Sequence, residues 1–202
     1  VAAAGPLALG LQPVSLTERQ RYFLKFAEPY IAFNQRCRSD ENPDRSLGQG
    51  CRIGAPVPPS VAIVGDSYAT GGSAAFMAPL KKNGRNALIL MASGCLPLWI
   101  DRATSDPATA ACDRISAAAL DHVIADRQLK TVVLVARWSL YVGGDGVYDI
   151  YAADPAKRIG SALLQRALND TVTRLLAAGR AIILIYPSPA AERDIPRYLL
   201  KK

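Results

Sequence analysis

Gly65-Asp66-Ser67-Tyr68 is the stretch whose residue types and setting point most directly to chemistry. It follows the short apolar run VAIVG at 61–65 and precedes ATGGSAAFMAPLKK, whose small residues can open a helix. Open α/β sheets bind their ligands at the carboxyl ends of their strands, so Ser67 falls where such folds place reactive groups. Backbone N–H groups at a helix start point toward a serine there, and they can hold the oxyanion formed when its hydroxyl attacks an ester carbonyl. Two other readings compete. Serine is a favoured N-cap, and a strand-to-helix turn needs one. Gly71 and Gly72 can cradle a phosphate, although neither G-x-G-x-x-G nor G-x-x-x-x-G-K-[ST] is matched. Asp66, next to the serine, is expected to point away from it and to hydrogen-bond the surrounding loops.

A serine hydroxyl is a weak nucleophile until a base takes its proton, and a histidine oriented by a carboxylate is the usual base. The chain has one histidine, His122. It lies in CDRISAAALDHVIADRQL, where Ile115, Ala119, Leu120, Val123 and Ile124 mark the apolar arc of a helix and His122 falls toward its polar edge. Asp121 does not orient it by adjacency, because neighbouring helical residues do not face each other. His122 is therefore read as a solvated helix-face residue, remote from Ser67. No C-x-x-C or Cys/His ligand spacing occurs, which argues against zinc and against thioredoxin-type redox chemistry.

The elements that must position Ser67 are legible in the apolar pattern. Continuous apolar runs stand at 61–65, 86–91 (NALILM), 131–136 (TVVLVA) and 181–186 (AIILIY), separated by helical stretches. Strands without polar alternation are buried on both faces, and helices between them imply right-handed crossovers. The pattern predicts a three-layer, doubly wound α/β domain with a parallel sheet. A helix is predicted near 158–178, with Gly179 placed to end it. Upstream, Ser15-Leu16-Thr17-Glu18 has capping-box form and Phe23, Phe26, Ala27 and Tyr30 share one helical face. Residues 38–60 read as an irregular connection. The organisation expected is thus a helical extension and linker over 1–60 and the α/β domain over 61–202.

The 202 residues, half of them apolar, suffice for one sizeable core. The net charge of +7 is spread along the chain without an aromatic-studded basic stripe, so nucleic acid is not an expected partner. Four cysteines fall as two local pairs, Cys37 with Cys51 and Cys95 with Cys112, which suggests two disulfides and an oxidising compartment. Four buried, reduced thiols are the alternative. No apolar run is long enough to span a bilayer, and the start lacks an initiator Met and a basic leader. Any export or membrane segment is expected upstream of Val1.

Four segments in order, VAIVGDSYAT at 61–70, ASGCLPL at 92–98, VVLVARWSLY at 132–141 and IYPSPAAERDIPRYLL at 185–200, resemble the SGNH or GDSL-like domains fused behind membrane acyltransferase-3 domains in bacterial O-antigen O-acetyltransferases. The resemblance runs from about residue 37 to the end, with both cysteine pairs in register. It implies an SGNH-hydrolase, flavodoxin-like fold on the periplasmic side of the inner membrane, with no bound cofactor. The implied activity is transfer of an acetyl or short acyl group, through a serine acyl-enzyme, to a surface-polysaccharide hydroxyl.

By position the resemblance makes Ser67 the nucleophile and its N–H one oxyanion donor, with the Gly94 N–H another. Where the superfamily has a donor asparagine this chain reads Ala136-Arg137-Trp138, so Arg137 is a candidate third donor or a substrate or structural anchor. Tyr68, Trp138 and Tyr141 are candidates to line the sugar or acyl site. The family's aspartate and histidine lie in a D-x-x-H block after the last strand, and no such block occurs before Lys202. The expectation is a domain seen without its base and last strand. Two rival functions remain: an esterase that passes the acyl group to water, and a non-catalytic carbohydrate-binding or docking module in which Trp99, Trp138 and the tyrosines stack sugars.

Overall fold

Because the strands are continuous apolar runs, alternate residues of each must enter different layers, and the structure, a computed structural model, shows this directly. It describes residues 51–102, 104, 106–142 and 159–186, together with Glu18. Five strands form one sheet: β1 (Cys51–Gly54), β2 (Val61–Gly65), β3 (Asn86–Met91), β4 (Thr131–Val135) and β5 (Ala181–Ile185). Their spatial order is β1-β3-β2-β4-β5. The four runs predicted from sequence are the mutually parallel β2 to β5.

The helices described are α1 (Ser67–Gly71), α2 (Ser73–Lys82), α3 (Pro107–Ala125), α4 (Trp138–Val142) and α5 (Gly160–Ala177). Ala62, Val64, Leu88, Leu90, Val132 and Leu134 form one face of the sheet and pack with Leu120 and Val123 of α3 and Leu175 of α5. Val61, Ile63, Ala87, Ile89, Val133 and Val135 form the other, against Phe76, Met77 and Leu80 of α2. Three layers result, as the apolar pattern predicts. A third cluster, Leu96, Leu98, Ala136, Tyr141, Ile159 and Ala167, packs the segments that follow β3 and β4 against α5.

The sheet is mixed rather than wholly parallel as expected. Residues 51–54, expected to belong to an irregular connection, form the edge strand β1, antiparallel to β3 with Cys51 opposite Ile89. Only Ile53 of its four residues is buried, so the segment has no apolar run by which a strand is recognised. The expected helix near residues 15–30 lies outside the described residues apart from Glu18, which is helical and exposed. Cys37 and the segment from 187 onward also lie outside them. Cys51 is disulfide-bonded, and Cys95 is joined to Cys112, with Cα atoms 5.1 Å apart.

Chain order places the switch point of this sheet beside β2. The chain steps from β2 to β3 on one side, then crosses back over β2 to β4 on the other, the point at which doubly wound sheets open a crevice between adjacent loops. A buried arginine fastens the layer that makes the crossing. Arg180, 6% exposed, donates to the carbonyl oxygens of Val123, Ile124 and Asp126, which close the C-terminal end of α3. These carbonyls have no partner inside the helix, so the guanidinium satisfies them where water is excluded. Arg180→Met is expected to lower stability by about 2 kcal/mol, through loss of charged hydrogen bonds to buried acceptors. Urea unfolding checks this, and an unchanged midpoint would contradict the capping role.

Candidate active site

Gly65 ends β2 where the neighbouring strand comes unusually close. A Cβ there would stand 2.0 Å from the Val135 carbonyl oxygen, so only glycine lets the ends of β2 and β4 meet at this level. Gly65 is in register with Met91 on one side and Val135 on the other. The segments beginning Asp66-Ser67, Ala92-Ser93-Gly94 and Ala136-Arg137 therefore leave the sheet side by side from three adjacent strands. The Ala92 N–H donates to the Gly65 carbonyl oxygen at 3.1 Å and ties the first two together.

Asp66 ties the third. Its side chain is 1% exposed. One carboxylate oxygen accepts from the Tyr68 N–H at 2.8 Å, capping α1. The other accepts from the Arg137 N–H at 2.9 Å and from the Tyr141 hydroxyl at 3.1 Å. Burial pushes the Asp66 carboxyl above the ordinary aspartate value, against the opposing pull of the Arg137 and Tyr68 N–H groups, the Tyr141 hydroxyl and the Arg137 charge. The expected structural role of Asp66 is what the structure shows, and it settles the competing reading of its neighbour. Asp66 is the N-cap, so Ser67 is not.

Ser67 is instead the first residue of α1 and is exposed. Its hydroxyl makes no hydrogen bond among the described residues, and neither its own N–H nor that of Gly94 donates to another group among them. The turn below it is stiffened by Thr70, fully buried, whose hydroxyl donates to the Ser67 carbonyl oxygen at 2.9 Å. Thr70 belongs to no motif that singles it out, although a threonine three residues after a helix start is placed to make that bond. Gly72, weighed as part of a phosphate cradle, uses its N–H on the Tyr68 carbonyl oxygen between α1 and α2.

The other expected site residues divide into surface and support. Tyr68 is exposed beside Ser67. Arg137 is held by its backbone on Asp66, and its half-buried guanidinium has no ion-pair partner among the described residues. Trp138 is half-buried and donates its indole N–H to the Ile185 carbonyl oxygen at 2.8 Å, joining α4 to the end of β5. Tyr141 is 2% exposed, so it stands beneath the site and reaches it through Asp66.

Trp99 is buried as well, donates to Asp121 at 3.1 Å and is covered by Arg174 at 3.7 Å. Its ring is not open to a sugar. Asp121 is thereby engaged with Trp99 and, at 3.8 Å, with Arg174. His122 is in the last turn of α3, a helix that starts after β3 ends and finishes where β4 is about to begin. It therefore lies toward the edge of the sheet opposite Ser67.

A doubly wound α/β sheet whose central strand ends in Gly-Asp-Ser, with the serine's own N–H and hydroxyl uncommitted among the described residues, is an arrangement suited to acyl-transfer and hydrolytic enzymes. The chain belongs to the SGNH domains fused to AT3 domains, a family that matches residues 36–202. Among solved structures it is similar to the periplasmic domain of the lipopolysaccharide acetyltransferase of Salmonella ser. Paratyphi A, with a TM-score of 0.55 and 20% identity. That likeness, one of fold, covers 93% of this chain and 66% of the other, so the chain spans just under two thirds of that structure's length. A search of the curated proteins found no match.

The buried carboxylate makes stability depend on pH with a definite sign. Its folded pKa is raised, so the stability it supplies is complete below its unfolded value and is lost as pH rises through the folded value. Asp66→Asn is expected to remove this decline, which begins at about pH 4. It also sets an amide N–H against the Arg137 N–H, which costs about 1–3 kcal/mol for the unmet donor. Urea midpoints measured across acidic to neutral pH for both proteins check this. A variant whose midpoints follow the parent's slope would contradict it.

Proposed function

We propose that this domain moves an acetyl or other short acyl group to a hydroxyl of a cell-surface polysaccharide, on the periplasmic side of the bacterial inner membrane, through an acyl-enzyme on Ser67. The observation that carries the reading is the state of Ser67. It is exposed at the switch point and relieved of capping by Asp66. Its own N–H has no acceptor among the described residues, and neither has that of Gly94 in the loop that leaves the adjacent strand β3. Membership of a family fused to AT3 domains supports an upstream membrane acyltransferase-3 domain in the same polypeptide as the source of the acyl group. The similar structure, by its name a lipopolysaccharide acetyltransferase periplasmic domain, supports a surface glycan as acceptor. The Cys95–Cys112 disulfide suits an oxidising compartment.

In the first step Ser67 Oγ bonds to the acyl carbonyl carbon, its proton passes to a base other than His122, and the carbonyl oxygen becomes an oxyanion held by the Ser67 and Gly94 N–H groups. Collapse expels the donor's leaving group, which takes up the proton. In the second step an acceptor hydroxyl attacks the acyl-serine carbonyl, loses its proton to the base and releases Ser67 as the alcohol. Arg137, with its guanidinium unpaired among the described residues, adds positive charge beside the crevice and serves as a third donor or acceptor-binding group. Tyr68 and the half-buried edge of Trp138 line the approach.

Ser67→Ala in the full-length protein is expected to reduce glycan acylation in cells at least about a thousandfold, the scale on which loss of a serine nucleophile acts. Mass spectrometry of the glycan reads the outcome. Acylation at the parent level would reject the acyl-serine mechanism.

A further inference from the structure

The turn from Ala92 to Cys95 is closed by the Cys95 N–H, which donates to the Ala92 carbonyl oxygen at 3.1 Å. Gly94 holds its third position at φ 70°, while Ser93 is not at positive φ, so the turn is of type II. Type I and type II turns differ by a flip of the central peptide, here the one that joins Ser93 to Gly94. The direction of the Gly94 N–H is therefore a property of the turn type. A side chain at Gly94 would meet nothing within 4 Å, so conformation rather than crowding restricts this position.

What keeps the turn in place differs along the loop. From Trp99 onward it is held by polar ties to two helices: the Trp99 N–H donates to Thr171 of α5 at 3.1 Å, and Arg102 pairs with Asp113 of α3 at 2.8 and 2.9 Å. Closer to the site the tie is covalent. Cys95, immediately after Gly94 and 6% exposed, is bonded to Cys112 of α3, whose Sγ lies 3.9 Å from the Gly94 carbonyl oxygen. The Sγ of Cys95 in the same bridge lies 3.6 Å from the Ser93 carbonyl oxygen, which belongs to the peptide whose direction the turn sets.

We infer that the Cys95–Cys112 disulfide is a positioning device for the Gly94 N–H: it holds the type II turn against α3 so that this donor faces the strand-end site, and turnover depends on the bond being intact. The inference rests on the acyl-serine reading above. It assigns Cys95 and Cys112 a role in the rate of reaction beyond the stability that any short-loop disulfide confers. It also makes activity conditional on an oxidising compartment.

The test compares kcat and KM for p-nitrophenyl acetate in the full-length protein, after thermal melts establish which variants are folded. Misdirecting one oxyanion donor is expected to lower kcat about tenfold to a hundredfold in C95A/C112A, with KM within about twofold. G94A is expected to lose kcat similarly, and G94N, whose side chain tolerates left-handed backbone, to recover most of it. C51A, which removes the other bridge at the start of β1, is expected to keep the parent kcat. A folded C95A/C112A with the parent kcat overturns the inference, as does a C51A that loses as much.

If C95A/C112A does not fold, dithiothreitol reduction of folded C51A, in which the other bridge is already gone, replaces it. Two protein thiols form as the reagent closes to its own disulfide, and kcat must fall and return on reoxidation; an unchanged kcat overturns the inference. S67A separates the two levels of argument. If S67A turns over the ester as the parent does, the acyl-serine reading fails. If S67A is inactive while the bridge and turn variants keep the parent kcat, the positioning role alone fails.

Discussion

The Asp66 carboxylate, buried and accepting three hydrogen bonds, holds together everything that leaves the carboxyl edge of the central strands. A carboxylate out of water is tolerable only when its lone pairs are met, and here the donors come from α1, from the segment after β4 and from α4. Each bond therefore fixes one element relative to another. The Tyr68 bond starts α1 at Ser67, the Arg137 bond joins the β2 and β4 loops across the switch point, and the Tyr141 bond anchors both to the third apolar cluster. Gly65 is the steric condition for all three, because any larger residue would force β4 away.

That arrangement frees the serine by occupying its neighbour. Capping a helix start requires one acceptor side chain, and Asp66 supplies it, so the Ser67 hydroxyl and N–H stay uncommitted among the described residues. On the other side of β2 the same economy recurs. The Gly94 turn is closed by its own backbone and by a disulfide, with its N–H left over. Loops from two adjacent strands, in register at Gly65 and Met91, thus each keep an N–H without an acceptor among the described residues.

Much of this could be read from residues alone, and the reasons for success and failure are physical. The strands from Val61, Asn86 and Thr131 were legible because parallel strands buried on both faces must be apolar without interruption. The strand from Ala181, equally apolar, was expected to be buried and is an edge strand with Ile183 exposed. Strand β1 was not, since an edge strand of four residues with one buried side chain carries no period. Asp66 could be assigned a supporting role from adjacency to Ser67, but its partners Arg137 and Tyr141 lie more than seventy positions away in sequence, and no local pattern joins them. The same distance hides the burial of Tyr141 and Trp99. An aromatic near a strand end looks equally apt for lining a site and for supporting it, and only the packing of α4, α3 and α5 shows these two to be supports.

Position and chemistry thus converge on one hydroxyl, and its reactivity is the central claim. Treating the full-length protein with a fluorophosphonate and mapping the adduct by peptide mass spectrometry tests it most directly. The account predicts a single phosphonylated serine, Ser67, because only an activated serine beside oxyanion donors reacts at a useful rate. A protein that is folded yet unlabelled, or labelled at another residue, would contradict it.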